Sequence, residues 1–167
     1  GAGFINTPKV TITTGTPNFL ADKLDGYDVQ GGTIEIEGVT LNLDNTNKAE
    51  LYSQILKINA KVQAKELEVV TGLNTINVDG SITKTSQAEN KPTFSIDSTV
   101  LGGIYANKIT LIGTEKGVGV HLPPEVLAQD SMVLSADGQL SYTALSANTL
   151  DITSKDLVGS QSEMIAT

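Results

Sequence analysis

The stretch Leu101-Gly-Gly-Ile-Tyr-Ala-Asn-Lys-Ile-Thr-Leu-Ile-Gly-Thr-Glu-Lys-Gly-Val-Gly-Val120 joins period-2 apolar alternation to glycine punctuation. Lys108-Ile-Thr-Leu-Ile112 alternates and is β-branched, which predicts a short strand, while Gly113, Gly117 and Gly119 free the backbone to turn beyond it. Such a strand cannot stand alone. With Ile109 and Leu111 inward and Thr110 outward, a charge at 109 or 111 should break the fold, and Thr110→Asp should be far better tolerated. The pattern recurs on both sides. Val10-Thr-Ile-Thr-Thr14, Gly32-Thr-Ile-Glu-Ile-Glu-Gly38 and Val39-Thr-Leu-Asn-Leu43 read as strands bounded by Gly or Asn, and Met132–Tyr142 and Leu145–Thr153 continue the alternation. Ile109-Thr-Leu111, Val133-Leu134 and Leu150-Asp-Ile152 recur at intervals of about twenty residues, the signature of a solenoid whose coils bury their apolar faces on one another.

Composition agrees. Leu, Val and Ile supply 44 of the 167 residues, against 7 Phe and Tyr and no Trp, so the interior must be thin and filled by medium aliphatics. With 20 Thr, 11 Asn and 16 Gly beside them, many short strands joined by tight turns fit better than helices. A right-handed parallel β-helix meets these constraints, with coils stacked about 4.8 Å apart. At roughly 20 residues per coil the chain would make about eight coils, fewer if segments leave the stack. The residues leave a second architecture open: an antiparallel sandwich with Asp79-Gly80 and Asp137-Gly138 as hairpin turns.

Three regions depart from strand patterning. Residues 44–57 offer Asn and Thr caps followed by helix formers with Leu51 and Ile55 on one face, which predicts a short helix or turn. Residues 80–95, rich in Ser, Thr, Lys, Asn and Gln, read as an extra-helical loop or hairpin. Leu122-Pro-Pro-Glu-Val126 reads as a break between coils. In residues 58–70 composition favours a helix, but Ile58, Ala60, Val62 and Ala64 alternate, as do Leu67 and Val69.

The Leu101–Val120 stretch resembles a segment of the filamentous haemagglutinin-like exoproteins of Gram-negative two-partner secretion systems. Gly3-Phe-Ile-Asn-Thr-Pro-Lys-Val-Thr-Ile-Thr-Thr-Gly-Thr-Pro17 and Ile58-Asn-Ala-Lys-Val-Gln-Ala-Lys-Glu-Leu-Glu-Val-Val-Thr-Gly-Leu-Asn74 resemble the same family, in the family's order. The resemblance decides for the right-handed parallel β-helix with extra-helical loops or a hairpin, and for strands over residues 58–70. It divides the chain into the later part of a two-partner secretion domain, 1–125, and the first coils of a haemagglutinin-type shaft, 126–167. It also implies a signal peptide and an Asn-Pro-Asn-Gly motif upstream of residue 1. A stack lacking its first coils would expose an uncapped edge and self-associate near Gly3-Phe-Ile-Asn6.

Catalytic signals are sparse. His121 is the only histidine, there is no cysteine and no Gly-x-Ser-x-Gly elbow, so any Ser-His-Asp arrangement would have to centre on His121, which reads as an ordinary strand-end residue. Gly113-Thr-Glu-Lys-Gly-Val-Gly119 matches neither phosphate-binding glycine motif and reads as turn glycines. Asp22, Asp25 and Asp28 lack the spacing of a calcium loop and have Lys23 among them, which favours a solvated turn. Asn6, Asn59, Asn74, Asn77, Asn107 and Asn148 are expected to satisfy turns and stack between coils. No catalytic, cofactor or metal residue is singled out. A net charge of −8 with no arginine opposes nucleic acid and anionic membrane surfaces, and no apolar run reaches membrane-spanning length.

The resemblance implies a non-enzymatic secretion and folding domain of a large surface exoprotein, an adhesin or contact-dependent growth-inhibition protein. Its partner would be an outer-membrane β-barrel transporter with periplasmic transport-associated domains, and a receptor on a host or neighbouring cell could engage the parent. Export would run via the periplasm to the surface of a Gram-negative cell. The rival from another class is a carbohydrate-active enzyme or polysaccharide-binding module on the same fold.

Overall fold

Parallel pairing between strands far apart in sequence organises the chain. The computed structural model describes residues 7–167, and these contain strands and turns with no α-helix. β1 (Thr7–Thr13) opens the stack, and β2 (Thr16–Leu20) and β3 (Lys23–Asp28) leave it as a hairpin. The first complete coil is β4 (Thr33–Ile36), β5 (Thr40–Asn42) and β6 (Thr46–Ser53). The second is β7 (Ile55–Ile58), β8 (Lys61–Gln63) and β9 (Glu66–Thr71). A second excursion carries β10 (Leu73–Asn77) and β11 (Ile82–Ser86). The third coil is β12 (Phe94–Ser98) and a long bent β13 (Gly103–Gly113); the fourth is β14 (Gly119–His121) and β15 (Glu125–Ala136). β16 (Gln139–Ala147) and β17 (Thr149–Thr153) make the fifth, and β18 (Asp156–Ala166) begins a sixth.

Period-2 alternation in the strands becomes continuous columns in the stack. On the face built from β1, β6, β9, β13, β15 and β17, one inward column runs Val10, Ala49, Leu67, Ile109, Met132, Leu150. Two residues along, a second runs Ile12, Leu51, Val69, Leu111, Leu134, Ile152. The face of β4, β7, β12, β14 and β16 supplies Ile34, Leu56, Ile96, Val120 and Leu140, and the third face supplies Leu41, Val62, Ile104, Val126 and Leu145. These columns form one core of aliphatics. Full burial of each such side chain stabilises by about 1.5–3 kcal/mol, which is how a chain without tryptophan holds together. The parallel β-helix expected from the repeat and the resemblance is therefore the fold, and the antiparallel sandwich is not.

Several local expectations are corrected. In residues 44–57 the expected turn is confined to Asp44-Asn45, and Thr46–Ser53 and Ile55–Ile58 are strand instead of helix, because Ala49, Leu51 and Leu56 are needed in the core and that burial overrides helix propensity. Two excursions leave the stack, so the described residues make five complete coils, fewer than the eight of an uninterrupted stack, as the excursions imply. Leu122-Pro-Pro-Glu-Val126 is a corner inside the fourth coil, where buried Leu122 donates its N–H to Ser141 and Pro124 accepts from Ala144 N–H. Asp137-Gly138 joins β15 to the parallel strand β16 and is no hairpin, whereas Asp79-Gly80 does close the antiparallel hairpin β10–β11 within the predicted excursion. Asn59, Asn107 and Asn148 donate their backbone N–H groups to the neighbouring coil, and no Asn–Asn side-chain bond occurs among the described residues. Gly3-Phe-Ile-Asn6 lies outside the described residues.

Candidate functional site

The two excursions meet each other outside the stack, forming a four-stranded antiparallel sheet in the order β11-β10-β3-β2. It covers an outward column in which Tyr52, Val70 and Ile112 are in register on successive coils. Val29, Tyr52, Val70 and Ile76 make a second small core, with Tyr27, Ile82 and Ile112 packed on it. The rings of Tyr27 and Tyr52 lie 6.0 Å apart and tilted, a favourable aromatic geometry. Asn74 ties the junction. Its Oδ1 accepts from Thr85 at 3.0 Å and Thr114 at 2.7 Å, and its Nδ2 donates to the carbonyl of Thr71 at 3.2 Å.

Beside this apolar seam runs an ionic one. Thr11, Glu50, Glu68 and Thr110 form the neighbouring outward column. The nearly inaccessible Glu50 accepts from Thr11 Oγ1 at 2.8 Å and has Lys9 and Lys48 at 3.5 and 3.6 Å. Lys48 also lies 2.8 Å from Glu68. Burial alone would depress the Lys48 pKa, but the hydrogen bond and charge of Glu68, with the charges of Glu50 and Glu66, outweigh it and raise the ammonium above its ordinary value. Burial first, then the Glu68 and Glu50 carboxylates, push the Tyr52 hydroxyl far above the usual phenol range. The paired carboxylates thus act as structural anchors under the sheet. Sequence patterning misses Glu50 because it falls in the segment that reads as helix or turn, and the alternation Lys48-x-Glu50-x-Tyr52 is the signal that would have found it; Glu68 lies in the segment read as strands, but only coil stacking places it beside Glu50.

At the other side of the sheet, β2 has no further strand partner among the described residues. Its turn to β3 is Ala21-Asp22, both at positive φ (50° and 63°), and they are the only non-glycine residues so placed among the described ones. Left-handed backbone at such residues costs roughly 1–2 kcal/mol each. Register partners Phe19 and Leu24, next to this strained tip, are 66% and 39% exposed, and Leu20 is 68% exposed. These are the large apolar side chains that this free edge leaves to solvent.

The residues weighed for chemistry are dispersed. His121 ends β14 as expected, its Nδ1 2.7 Å from Asp97 Oδ1 and its ring 5.5 Å from that of Phe94. Ser141 follows His121 on the next coil, completing the residue types of a triad along one column, but its Oγ accepts from Gln139 Nε2 and makes no bond to His121. Asp22 lies in the hairpin turn, while Asp25 and Asp28 lie on β3, where Asp28 accepts from Gln30 and Thr75. No group of three potential metal ligands occurs among the described residues. Glu115, in the glycine cluster, is buried and accepts from Ala88 N–H at 2.8 Å, so that loop fastens the returning excursion.

Comparison with known proteins places this architecture. By fold the chain is similar to the filamentous hemagglutinin secretion domain seen in a crystal structure, with a TM-score of 0.78 at 22% identity over 95% of this chain and 59% of that one. By sequence it is 40% identical over 141 residues to the 16S rRNA endonuclease CdiA of Enterobacter cloacae subsp. cloacae. It is 39% identical over 142 residues to the tRNA nuclease CdiA of Yersinia mollaretii, and 40% identical over 144 residues to the tRNA nuclease CdiA-2 of Burkholderia pseudomallei. Each alignment takes in 84% of this chain but only 4–5% of the relative. The family model described as "TPS secretion domain" matches residues 1–142, and the chain accordingly belongs to the TPS secretion domain family.

Proposed function

We propose that the chain is the export and fold-nucleating part of a much longer exoprotein, delivered to the surface of a Gram-negative cell by a cognate outer-membrane β-barrel transporter. The family match over residues 1–142 carries this reading. The route runs through the periplasm, where the transporter's transport-associated domains meet the chain, and the exposed Phe19 and Leu20 on the free strand β2, with Leu24 opposite Phe19 on β3, are the surface offered to them. The lack of cysteine suits passage through an oxidising compartment. Outside the cell, each coil needs only its predecessor as a template, so coil-by-coil folding releases free energy in the outward direction.

The domain itself is non-catalytic. Relatives named for 16S rRNA and for tRNA cleavage share the same 84% of this chain at nearly equal identity, so the segment they have in common does not set their nuclease specificity. This supports a parent of the contact-dependent growth-inhibition type whose effector lies outside the aligned region. Residues 126–167 are the first coils of a shaft. In support, unshifted register passes from Lys108–Gly113 of β13 through Ser131–Ser135 of β15 to β17, so these coils continue directly from the preceding ones on this face.

The test is secretion of the parent exoprotein from cells with and without its transporter. Release should require the transporter, and Phe19→Ser with Leu24→Ser should lower it while leaving the β-rich circular dichroism of the isolated chain unchanged. Transporter-independent release would overturn the assignment, and full release of the double variant would move the recognition surface elsewhere.

A further inference from the structure

A groove of about 420 Å³ runs along the corner where β8 turns into β9 and where β13 and β15 bend, across successive coils. Its floor is the chain at Ala64 and Ala106, with Ala128 in register on the next coil, and all three are small residues whose methyl groups are buried in the core. Two further columns flank it. One is Gln63, Tyr105 and Leu127, in register on β8, β13 and β15. The other is Lys65, Asn107 and Gln129, each immediately after a floor alanine. The Tyr105 ring lies down over Gly103, where a Cβ would come within 2.9 Å of ring carbon Cε2, so that glycine gives the ring its place on the sheet. Among the described residues, none of the polar side chains of Gln63, Lys65, Asn107, Gln129 or Tyr105 spends itself on an internal hydrogen bond or ion pair.

We propose that this groove binds a neutral linear polysaccharide, one sugar unit per coil. The apolar face of a pyranose ring fits an aromatic plate and a leucine, and its hydroxyls fit side-chain amides that both donate and accept. The repeat favours a glycan over a peptide: coils recur about every 4.8 Å, which suits the length of one sugar in an extended chain, whereas an extended peptide rises about 3.3 Å per residue. Nor does the groove offer a peptide a strand edge, since β8, β13 and β15 are paired on both sides. Charge favours a neutral ligand. Lys65 is countered by Asp44 across the groove, and the chain carries −8 overall. Partial burial, with the charge of Glu125, keeps the Tyr105 phenol protonated above its ordinary range, so it presents an O–H donor at the rim. The groove holds one carboxylate, Asp44, and no acid–base pair, so binding without cleavage is the activity.

The experiment is NMR or calorimetric titration of the whole chain with neutral linear hexasaccharides, covering β-1,4-, β-1,3- and α-1,4-linked hexoses and N-acetylhexosamines, beside a heparin hexasaccharide. At least one neutral glycan should bind, with shifts confined to the groove. Tyr105→Ala should weaken binding roughly tenfold, the size of one aromatic contact. Gly103→Ala should weaken it too by lifting the ring without removing it, and Tyr142→Ala, on another face, should leave it unchanged. The proposal is overturned by no binding to any neutral glycan, by heparin binding alone, or by unchanged affinity of Tyr105→Ala in a chain whose circular dichroism is intact.

Discussion

Leu111→Ala should cost the chain about 2–5 kcal/mol, whereas Thr110, one residue away, should accept substitution at little cost. Leu111 is 1% exposed and sits in the inward column between Val69 and Leu134, so truncation leaves a void with coils above and below that cannot close on it. Leu111→Asp or Ile109→Asp adds an unpaired buried carboxylate at several kcal/mol more, which approaches the 5–15 kcal/mol that hold a typical domain together, and should leave no folded population. The outward position needs a subtler control than alternation alone proposes. Thr110 lies directly opposite Glu68, so Thr110→Asp sets two carboxylates side by side and should lose about 0.5–1 kcal/mol, while Thr110→Lys supplies a counter-charge and should be neutral or better. Guanidinium titrations of these variants and of Thr110→Ala, followed by far-UV circular dichroism, measure the differences. If Leu111→Ala and Thr110→Ala cost the same within about 0.5 kcal/mol, the assignment of inside and outside on this face is wrong.

Two further outcomes follow from the seam under the extra-helical sheet. Gly72→Ala should destabilise by about 1–3 kcal/mol, because φ there is +113° and the new Cβ would strike Thr114 Oγ1, which is already held by Thr71 O and Asn74 Oδ1; a loss below about 0.5 kcal/mol would refute the close approach. Stability should also fall in alkali. Lys48 and Tyr52 keep their protons in the fold beyond the ordinary values of 10.5 and 10.0, so their contribution is complete below about pH 10 and is lost as pH rises toward the raised values. Denaturation midpoints measured across that range should decline, and Tyr52→Phe should flatten the decline; a profile identical in both proteins would show that the seam does not hold these protons.

Alternation was legible wherever one side of a strand meets the core and the other meets water. Ile109-Thr-Leu111 and its later partners at Val133-Leu134 and Leu150-Asp-Ile152 do stack in register, because a one-residue slip would turn each coil inside out. Legibility failed where both sides are covered. In β6, Ala49 and Leu51 face the core while Glu50 and Tyr52 face the extra-helical sheet, so nearly every position is buried and the period vanishes into what resembles a capped helix. The β2–β3 hairpin was hidden for another reason. Its turn, Ala21-Asp22, has no glycine although both residues adopt left-handed backbone, so the ordinary hairpin signal is missing and only a solvated turn can be read. The groove beside Tyr105 was invisible because its walls come from residues about twenty apart that only coil stacking makes neighbours.

The outward side of the face built from β6, β9, β13, β15 and β17 shows where the decorated coils give way to plain ones. Following one column along the stack, Tyr52, Val70 and Ile112 are succeeded by Ser135 and then Thr153. The first three lie under the extra-helical sheet and are apolar; the last two have no cover and are hydroxyls. In the adjacent column Glu50 and Glu68, anchored by lysines, are succeeded by Thr110, Val133 and Asp151, with no ion pair on the later members among the described residues. The charged column therefore changes its chemistry between the second and third coils and the apolar column between the third and fourth, while the strand pairing continues on this face. The extra-helical sheet gives the coils of β6, β9 and β13 a second core that the coils of β15 and β17 lack among the described residues. On this argument the covering belongs to initiation: weakening it should slow refolding more than it lowers the equilibrium stability of the later coils, as expected for contacts that form in the folding nucleus.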